Sequence, residues 1–163
     1  MLRLDFDFSD DRNESIELPD LGHLSEVDLR YGSALGSLIF VVNGVDCSVR
    51  WGWIPLIDLA VALHDIREEL AGKSSGKEVF EFTESDATVT IQRNRDVVRL
   101  ITNYVPCSEC VPFAEFDKKV SLFRDKVFRE AVARFPSLEE NTEFRSLRER
   151  TEAGKEVTIR GDC

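Results

Sequence analysis

The stretch from Leu38 to Leu70 constrains the fold of this chain more than any other segment. Two apolar runs flank the dipeptide Asn43-Gly44, and a long amphipathic segment follows them directly. Asn-Gly between two strands favours a type I′ turn, in which both residues need a positive φ. Leucines then recur at helical spacing from Pro55 onward, a residue that the first turn of a helix tolerates. The stretch therefore predicts a β-hairpin that leads into a central helix.

Period-two alternation predicts two further strands before this hairpin. Residues 2–8 alternate leucine and phenylalanine with arginine and aspartate, which is typical of a half-buried strand. A polar connection with several turn-forming residues follows over 9–25, and alternation resumes over 26–31. In the hairpin itself, the apolar run is 38–42 and the return strand is 45–51.

The second half of the chain predicts a meander followed by helices. Short polar turns separate three alternating segments, which favours antiparallel pairing of neighbours. A long stripe of phenylalanine and valine then indicates an amphipathic helix, and a shorter helix and a last edge strand or ordered tail follow. The predicted order is a loop at 73–77, strands at 78–83, 87–92 and 97–105, a loop at 106–112, helices at 113–135 and 138–150, and the tail at 156–160.

Together these elements predict an α+β fold. We expect an antiparallel β-sheet of about six to seven strands, with two long helices and one short helix packed on one face. A chain of 163 residues matches the size of one domain and can bury a core, so residues 1–163 are predicted to form a single α+β domain.

The net charge of −10 narrows the classes of partner. Residues 1–30 hold nine acidic residues against three arginines. An acidic surface repels nucleic-acid phosphates and speeds encounter with basic proteins, although excess acid also simply confers solubility. We expect no nucleic-acid partner. The chain has no apolar run that could span a membrane and no signal peptide, which predicts a cytoplasmic protein without a membrane partner and with free thiols.

Two features are candidate contact surfaces for a protein partner. The first is the acidic start of the chain, and the second is Trp51-Gly52-Trp53, where glycine allows a close backbone approach. The interpretation preferred on the sequence alone is instead a core anchor combined with a bend that ends the strand. The predicted partner-binding residues are Asp5, Asp7, Asp10, Asp11, Glu14, Glu17, Trp51 and Trp53.

The alternative function rests on Cys107 and Cys110. A CxxC pair between a strand and a helix is compatible with a thiol-redox site, because a helix N-terminus stabilises a thiolate. It is also compatible with half of a zinc site, although no second pair of ligands stands at the required spacing. Against the redox site, the strand belongs to a meander rather than to a βαβ unit, and Glu109 disfavours a thiolate. The remaining interpretation is two free loop thiols.

No motif indicates catalysis or a cofactor. The chain lacks GxSxG, HExxH, a Walker-type glycine loop, GxGxxG and an EF-hand loop. His64 flanks the apolar stripe of the central helix and is interpreted as a packing residue. We therefore expect a protein that is not an enzyme and has no cofactor. A third hypothesis is a small-molecule pocket between the sheet and the central helix, near Trp51, Trp53 and His64.

Three segments together resemble a known kind of protein. They are WIPLIDLAVALHDIREEL at 53–70, EVFEFTESDATVTIQRNRDVVRLITNY at 78–104, and the long Phe-spaced helix with the short helix after it. Over about residues 50–150, with FEFTES at 80–85 as the most specific piece, the chain resembles small actinobacterial domains and immunity proteins of polymorphic toxin systems. The resemblance transfers no catalytic or binding residue. It implies a non-enzymatic protein that neutralises a cognate toxin, and it leaves the oligomeric state open.

Overall fold

The first sheet forms around the predicted hairpin. The structure, a computed structural model, describes residues 1–9 and 20–153. Strands β1 (Leu2–Phe8), β2 (Leu35–Val42), β3 (Val45–Asp46) and β4 (Val49–Pro55) form this antiparallel sheet. Strand β2 is central, with β1 on one side and β3 and β4 on the other. Strand β4 is therefore an edge strand of the sheet.

The second sheet is the predicted meander with one more strand. It consists of β5 (Ser75–Glu81), β6 (Thr88–Asn94), β7 (Val97–Thr102) and β8 (Cys107–Pro112), all antiparallel and in chain order. Alternate residues of each strand face inward, so Val89, Ile91, Val98 and Leu100 are buried.

Helices connect and cover the two sheets. They are α1 (Glu26–Gly32), α2 (Leu56–Ala71), α3 (Phe113–Arg134) and α4 (Thr142–Ala153), with a 3₁₀ turn at Pro136–Glu140. Helix α2 joins the sheets and packs against α3. None of the helices in the described ranges has the length and apolarity needed to cross a membrane.

The α+β class is confirmed, but the prediction of a single sheet with helices on one face was wrong. The described residues form eight strands in two sheets, and one core cluster draws on both sheets and on α2 and α3. Alternation shows which residues of a strand point inward, whereas strand pairing depends on contacts distant in sequence. Here α2 follows the last strand of the first sheet, and the strands after α2 pair only with one another, in the second sheet.

The strand predicted at 26–31 was wrong, because these residues form α1. Of its alternating apolar residues only Leu29 is buried, and Val27 and Tyr31 are exposed. Ser25 caps the helix by accepting a hydrogen bond from the Asp28 amide at 3.2 Å. This pattern of serine and an acidic residue three positions later marks a helix start and outweighs a short alternation.

The loop predicted at 106–112 was also wrong in part, because residues from Cys107 onward form β8 along β7. The predicted loop at 73–77 overlaps the first residues of β5 in the same way. Both segments lack a strongly alternating pattern, and in both cases the neighbouring strand supplies the hydrogen bonds that hold them extended.

The hairpin turn and the two long helices are confirmed. Asn43 and Gly44 have φ of 50° and 87°, as a type I′ turn requires. The predicted return strand is interrupted between β3 and β4. The predicted short helix is divided at Asn141, whose side-chain oxygen accepts from the Phe144 amide at 3.0 Å and caps α4. The predicted strand at 156–160 lies outside the described residues.

Candidate functional site

The tryptophans stand on a bulge of the edge strand β4. Gly36 pairs with Ile54 and Leu38 pairs with Val49. Only Ser37 lies between the two partners on β2, whereas residues 50–53 lie between the two partners on β4. The extra residues leave the plane of the sheet, as the unpaired residues of a bulge do.

Two serine hydroxyls hold this bulge in place through the backbone of Gly52. The Gly52 amide donates to Ser37 Oγ at 3.1 Å, and the Gly52 carbonyl accepts from Ser9 Oγ. Gly52 has a φ of 78°, and a Cβ added there would lie 3.1 Å from Ser9 Oγ. The left-handed conformation and the close hydroxyl both favour glycine at this position.

The indole rings of Trp51 and Trp53 form a stacked pair, with centroids 4.7 Å apart and an interplanar angle of 14°. The Trp51 ring meets the Phe82 ring of the second sheet edge to face at 5.6 Å. Phe82 in turn contacts Tyr104, whose hydroxyl donates to the Cys47 carbonyl at 3.0 Å. The pair is therefore supported by both sheets.

The tryptophans are nevertheless accessible. Trp51 is 37% exposed and Trp53 is 40% exposed. The interpretation of Trp51 as a core anchor was therefore wrong, while the predicted bend at Gly52 is present in the bulge. What the arrangement offers is a fixed aromatic surface at the edge of the first sheet.

The two described acids of the predicted surface have different environments. Asp5 forms an ion pair with Lys126 of α3 at 2.5 Å. Partial burial acts to raise the pKa of Asp5, but the hydrogen bonds from Lys126 and the Phe6 amide lower it below its usual range. Asp7 is exposed. Asp5 is thus engaged within the protein, and Asp7 remains available to a partner.

The other predicted acids, Asp10, Asp11, Glu14 and Glu17, lie outside the described residues. Their segment follows directly on Ser9, the residue whose hydroxyl contacts the bulge. The Ser9 carbonyl also accepts a hydrogen bond from Arg134 of α3 at 2.6 Å. The fold therefore brings Ser9 to the backbone of Gly52 between the tryptophans, although more than forty residues separate Ser9 and Gly52 in sequence.

Cys107 and Cys110 are not brought together. They stand three residues apart on β8, where Cys107 is buried and Cys110 is exposed on the opposite face. Three residues of extended chain place their Cα atoms about 10 Å apart. A disulfide requires less than about 7 Å. This geometry does not support the hypothesis of a thiol-redox pair.

The Cys107 thiol lies instead beside the Cys47 thiol. Burial raises the pKa of the Cys47 thiol to about 12, and the neighbouring Cys107 thiol raises it as well. Such a thiol carries almost no thiolate at neutral pH. In residues 1–9 and 20–153, no group of three or more histidine, cysteine or acidic side chains is arranged to hold a metal ion.

The structure leaves little space for the small-molecule pocket of the third hypothesis, between the sheet and the central helix. The cavity enclosed by both sheets, α2 and α3 measures about 20 Å³ and is lined by aliphatic and phenylalanine side chains. That is room for about one water molecule. Neither tryptophan lines it, and neither does His64, which is buried on α2.

Comparison of the chain with protein-family models, curated proteins and solved structures finds no match. The residues that sequence reasoning missed at the bulge are Ser9, Ser37 and Phe82. Ser9 and Ser37 contact Gly52, and Phe82 contacts Trp51, from other parts of the chain, so no local pattern identified them. The glycine between two tryptophans was the only local signal of the bulge.

Proposed function

We propose that this chain is a non-enzymatic protein-binding domain, of the immunity or antitoxin type, that neutralises a cognate basic toxin. The observation that carries the proposal is the stacked and accessible pair of Trp51 and Trp53 on its serine-held bulge. Large aromatic side chains at the surface are the residues that most often dominate the binding energy of protein interfaces.

The rigidity of the bulge supports this function. A side chain that is already fixed in the free protein loses little conformational entropy on binding. Gly52 is held through both its amide and its carbonyl, and the two rings hold each other. We expect each tryptophan to contribute about 2 kcal/mol to binding, which is roughly a 30-fold change in affinity.

The charge of the chain supports a basic partner. The net charge is −10, and Asp7 is exposed at the surface of β1. We also propose that the acidic segment after Ser9 steers the partner towards the tryptophans. Charges of this kind mainly increase the association rate, and salt screens their effect.

The experiment compares three baits in a pull-down from a lysate of the source organism. They are the wild-type protein, the double variant Trp51→Ala/Trp53→Ala, and the control Leu122→Ala, which removes an apolar side chain that is 53% exposed on α3. Proteins retained by the wild type and the control but lost from the double variant are identified by mass spectrometry.

Each identified protein is then expressed alone and together with the baits in a neutral host. The proposal predicts that it arrests growth, that the wild type and the control restore growth, and that the double variant does not. A partner that the double variant retains and neutralises as well as the wild type does would contradict the proposed surface. A partner that is harmless when expressed alone would contradict the proposed function.

A further inference from the structure

We propose that this chain forms a symmetrical dimer in which strand β5 of one copy pairs antiparallel with β5 of a second copy. The pairing joins two four-stranded sheets, one from each copy, into one sheet of eight strands. The dimer is independent of the proposed function. Three features support it: the free edge of β5, the protection of the other sheet edges, and the order of the side chains along β5.

Strand β5 has a free backbone edge, because it is the outermost strand of the second sheet. The Asn103 amide donates to the Thr88 carbonyl at 3.4 Å, so Thr88 and every second residue after it on β6 bond towards β7. Their partners on β5 are Glu81, Val79 and Lys77, whose amides and carbonyls therefore point away from the sheet. In the described part of the chain, no other strand pairs with this edge.

The other edges of the two sheets are protected. On β1, the Leu2 amide donates to the Glu115 carboxylate of α3 at 2.6 Å. On β8, the Cys110 carbonyl accepts from the Asn43 side chain at 3.0 Å, and Pro112 has no amide hydrogen. The bulge makes the edge at β4 irregular. Such devices prevent pairing with another chain, whereas β5 runs in regular register over all seven of its residues.

The exposed side chains of β5 are complementary to themselves. Lys77, Val79 and Glu81 alternate on the exposed face of the second sheet, and Val79 is 45% exposed. A two-fold axis at Val79 places Lys77 of each copy opposite Glu81 of the other, so two pairs of opposite charges form. The same register pairs the outward amides and carbonyls of these three residues. Charges can also protect an edge strand, but these charges attract a second copy.

Neighbouring symmetrical registers lack this match. Because alternate residues of β5 direct their main-chain groups outward, the two-fold axis must pass through a residue. An axis at Glu78 would set two Glu78 carboxylates opposite each other, which is unfavourable. An axis at Phe80 would leave Lys77 opposite Thr83 and remove the attraction. With the axis at Val79, Glu78 lies opposite Phe80, so no like charges face each other.

The experiment measures the dimer dissociation constant of the full-length protein by analytical ultracentrifugation. A pair of strands is a small interface, so the dimer should form only at high protein concentration. Lys77→Glu or Glu81→Lys alone creates two pairs of like charges and should weaken the dimer about 10-fold. The double variant Lys77→Glu/Glu81→Lys exchanges the charges and should restore the dimer. The control Lys118→Glu makes the same change in net charge on α3 and should have no effect.

A cross-link tests the register. A single cysteine is introduced on β5 in the background Cys110→Ser/Cys163→Ser, and the protein is mildly oxidised. Val79→Cys places two cysteines at the axis with Cα atoms about 5.5 Å apart, within the range of a disulfide. Lys77→Cys places them about 14 Å apart on the same strand and face, because four extended residues separate them. We expect a disulfide-linked dimer from Val79→Cys and not from Lys77→Cys.

A protein that stays monomeric at every concentration would overturn the dimer. So would a dimer that the single charge reversals leave unchanged, or one that the charge exchange fails to restore. Equal cross-linking of Val79→Cys and Lys77→Cys would show that β5 does not pair in this register. None of these substitutions changes Trp51 or Trp53, so failure of the dimer leaves the proposed function standing.

Discussion

Substitution of Gly52 by alanine tests whether the bulge is held as the structure indicates. At a φ of 78°, an L-residue costs about 1 kcal/mol more than glycine. The new Cβ would lie 3.1 Å from Ser9 Oγ and would displace the hydroxyl from the Gly52 carbonyl. Loss of that hydrogen bond adds about 1 kcal/mol. We therefore expect Gly52→Ala to lower the free energy of unfolding by about 2 kcal/mol.

Alanine substitutions at two other glycines separate the conformational cost from the cost of the lost hydrogen bond. Gly44 has a φ of 87° with no atom within 4 Å of an added Cβ, so Gly44→Ala should show the conformational cost alone, about 1 kcal/mol. Gly32 has neither a positive φ nor a close neighbour, and Gly32→Ala should be nearly neutral. In thermal unfolding, about 2 kcal/mol corresponds to roughly 4–8 °C in Tm for a chain of this size.

A second measurement reports on the tryptophans directly. Coupling between two stacked indoles produces a characteristic signal in circular dichroism. Displacement of the Gly52 backbone should weaken that signal in Gly52→Ala and leave it intact in Gly44→Ala. If Gly52→Ala is no less stable than Gly44→Ala and keeps the indole signal, then Ser9 does not hold the bulge, and the argument for a fixed aromatic surface is wrong.

Three further measurements test the surrounding structure. A thiol reagent should label Cys110 in the native protein and Cys107 only after unfolding, as mass spectrometry of the labelled peptides would show. Gly36→Ala places a Cβ 2.2 Å from a backbone carbonyl oxygen of β1, and it should cost more than about 3 kcal/mol in denaturant unfolding. Lys126→Met removes the cation that, against the effect of partial burial, lowers the pKa of Asp5. A lowered pKa stabilises the folded state in full above the ordinary value of 3.8, and this effect is lost as the pH falls from 3.8 through the lower pKa of the folded state. The variant should therefore be less stable by roughly 0.5–1 kcal/mol at pH 7, and this deficit should disappear only well below pH 3.8.

The elements predicted well from sequence are those whose signal is local and repeated. Helices α2 and α3 have apolar stripes over several turns, and β1 alternates over its whole length. The Asn43-Gly44 turn has a conformational requirement that few other residue pairs meet. In each case, propensity, pattern and burial agree, so no distant contact was needed to predict the element.

The elements predicted wrongly depend on contacts that the sequence does not display. Residues 26–31 satisfy both a short alternation and a capped helix turn, and the Ser25 cap together with the burial of Leu29 alone among the alternating apolar residues favours the helix. The division into two sheets depends on which strand edges meet after α2. For the candidate site, the tryptophans and the glycine were identified, whereas Ser9 and Ser37 act through a register that only the folded sheet establishes.

The bulge has a second possible role, because an irregular edge strand resists pairing with another chain. That role requires only the backbone of residues 50–53, whereas partner binding requires the indoles. Trp51→Thr/Trp53→Thr keeps Gly52 and its serine contacts and introduces residues suited to strands. We expect this variant to keep the oligomeric state of the wild type in size-exclusion chromatography and to lose the partner. Aggregation of the variant would mean that the rings themselves protect the edge, and the reason to assign them to an interface would then disappear.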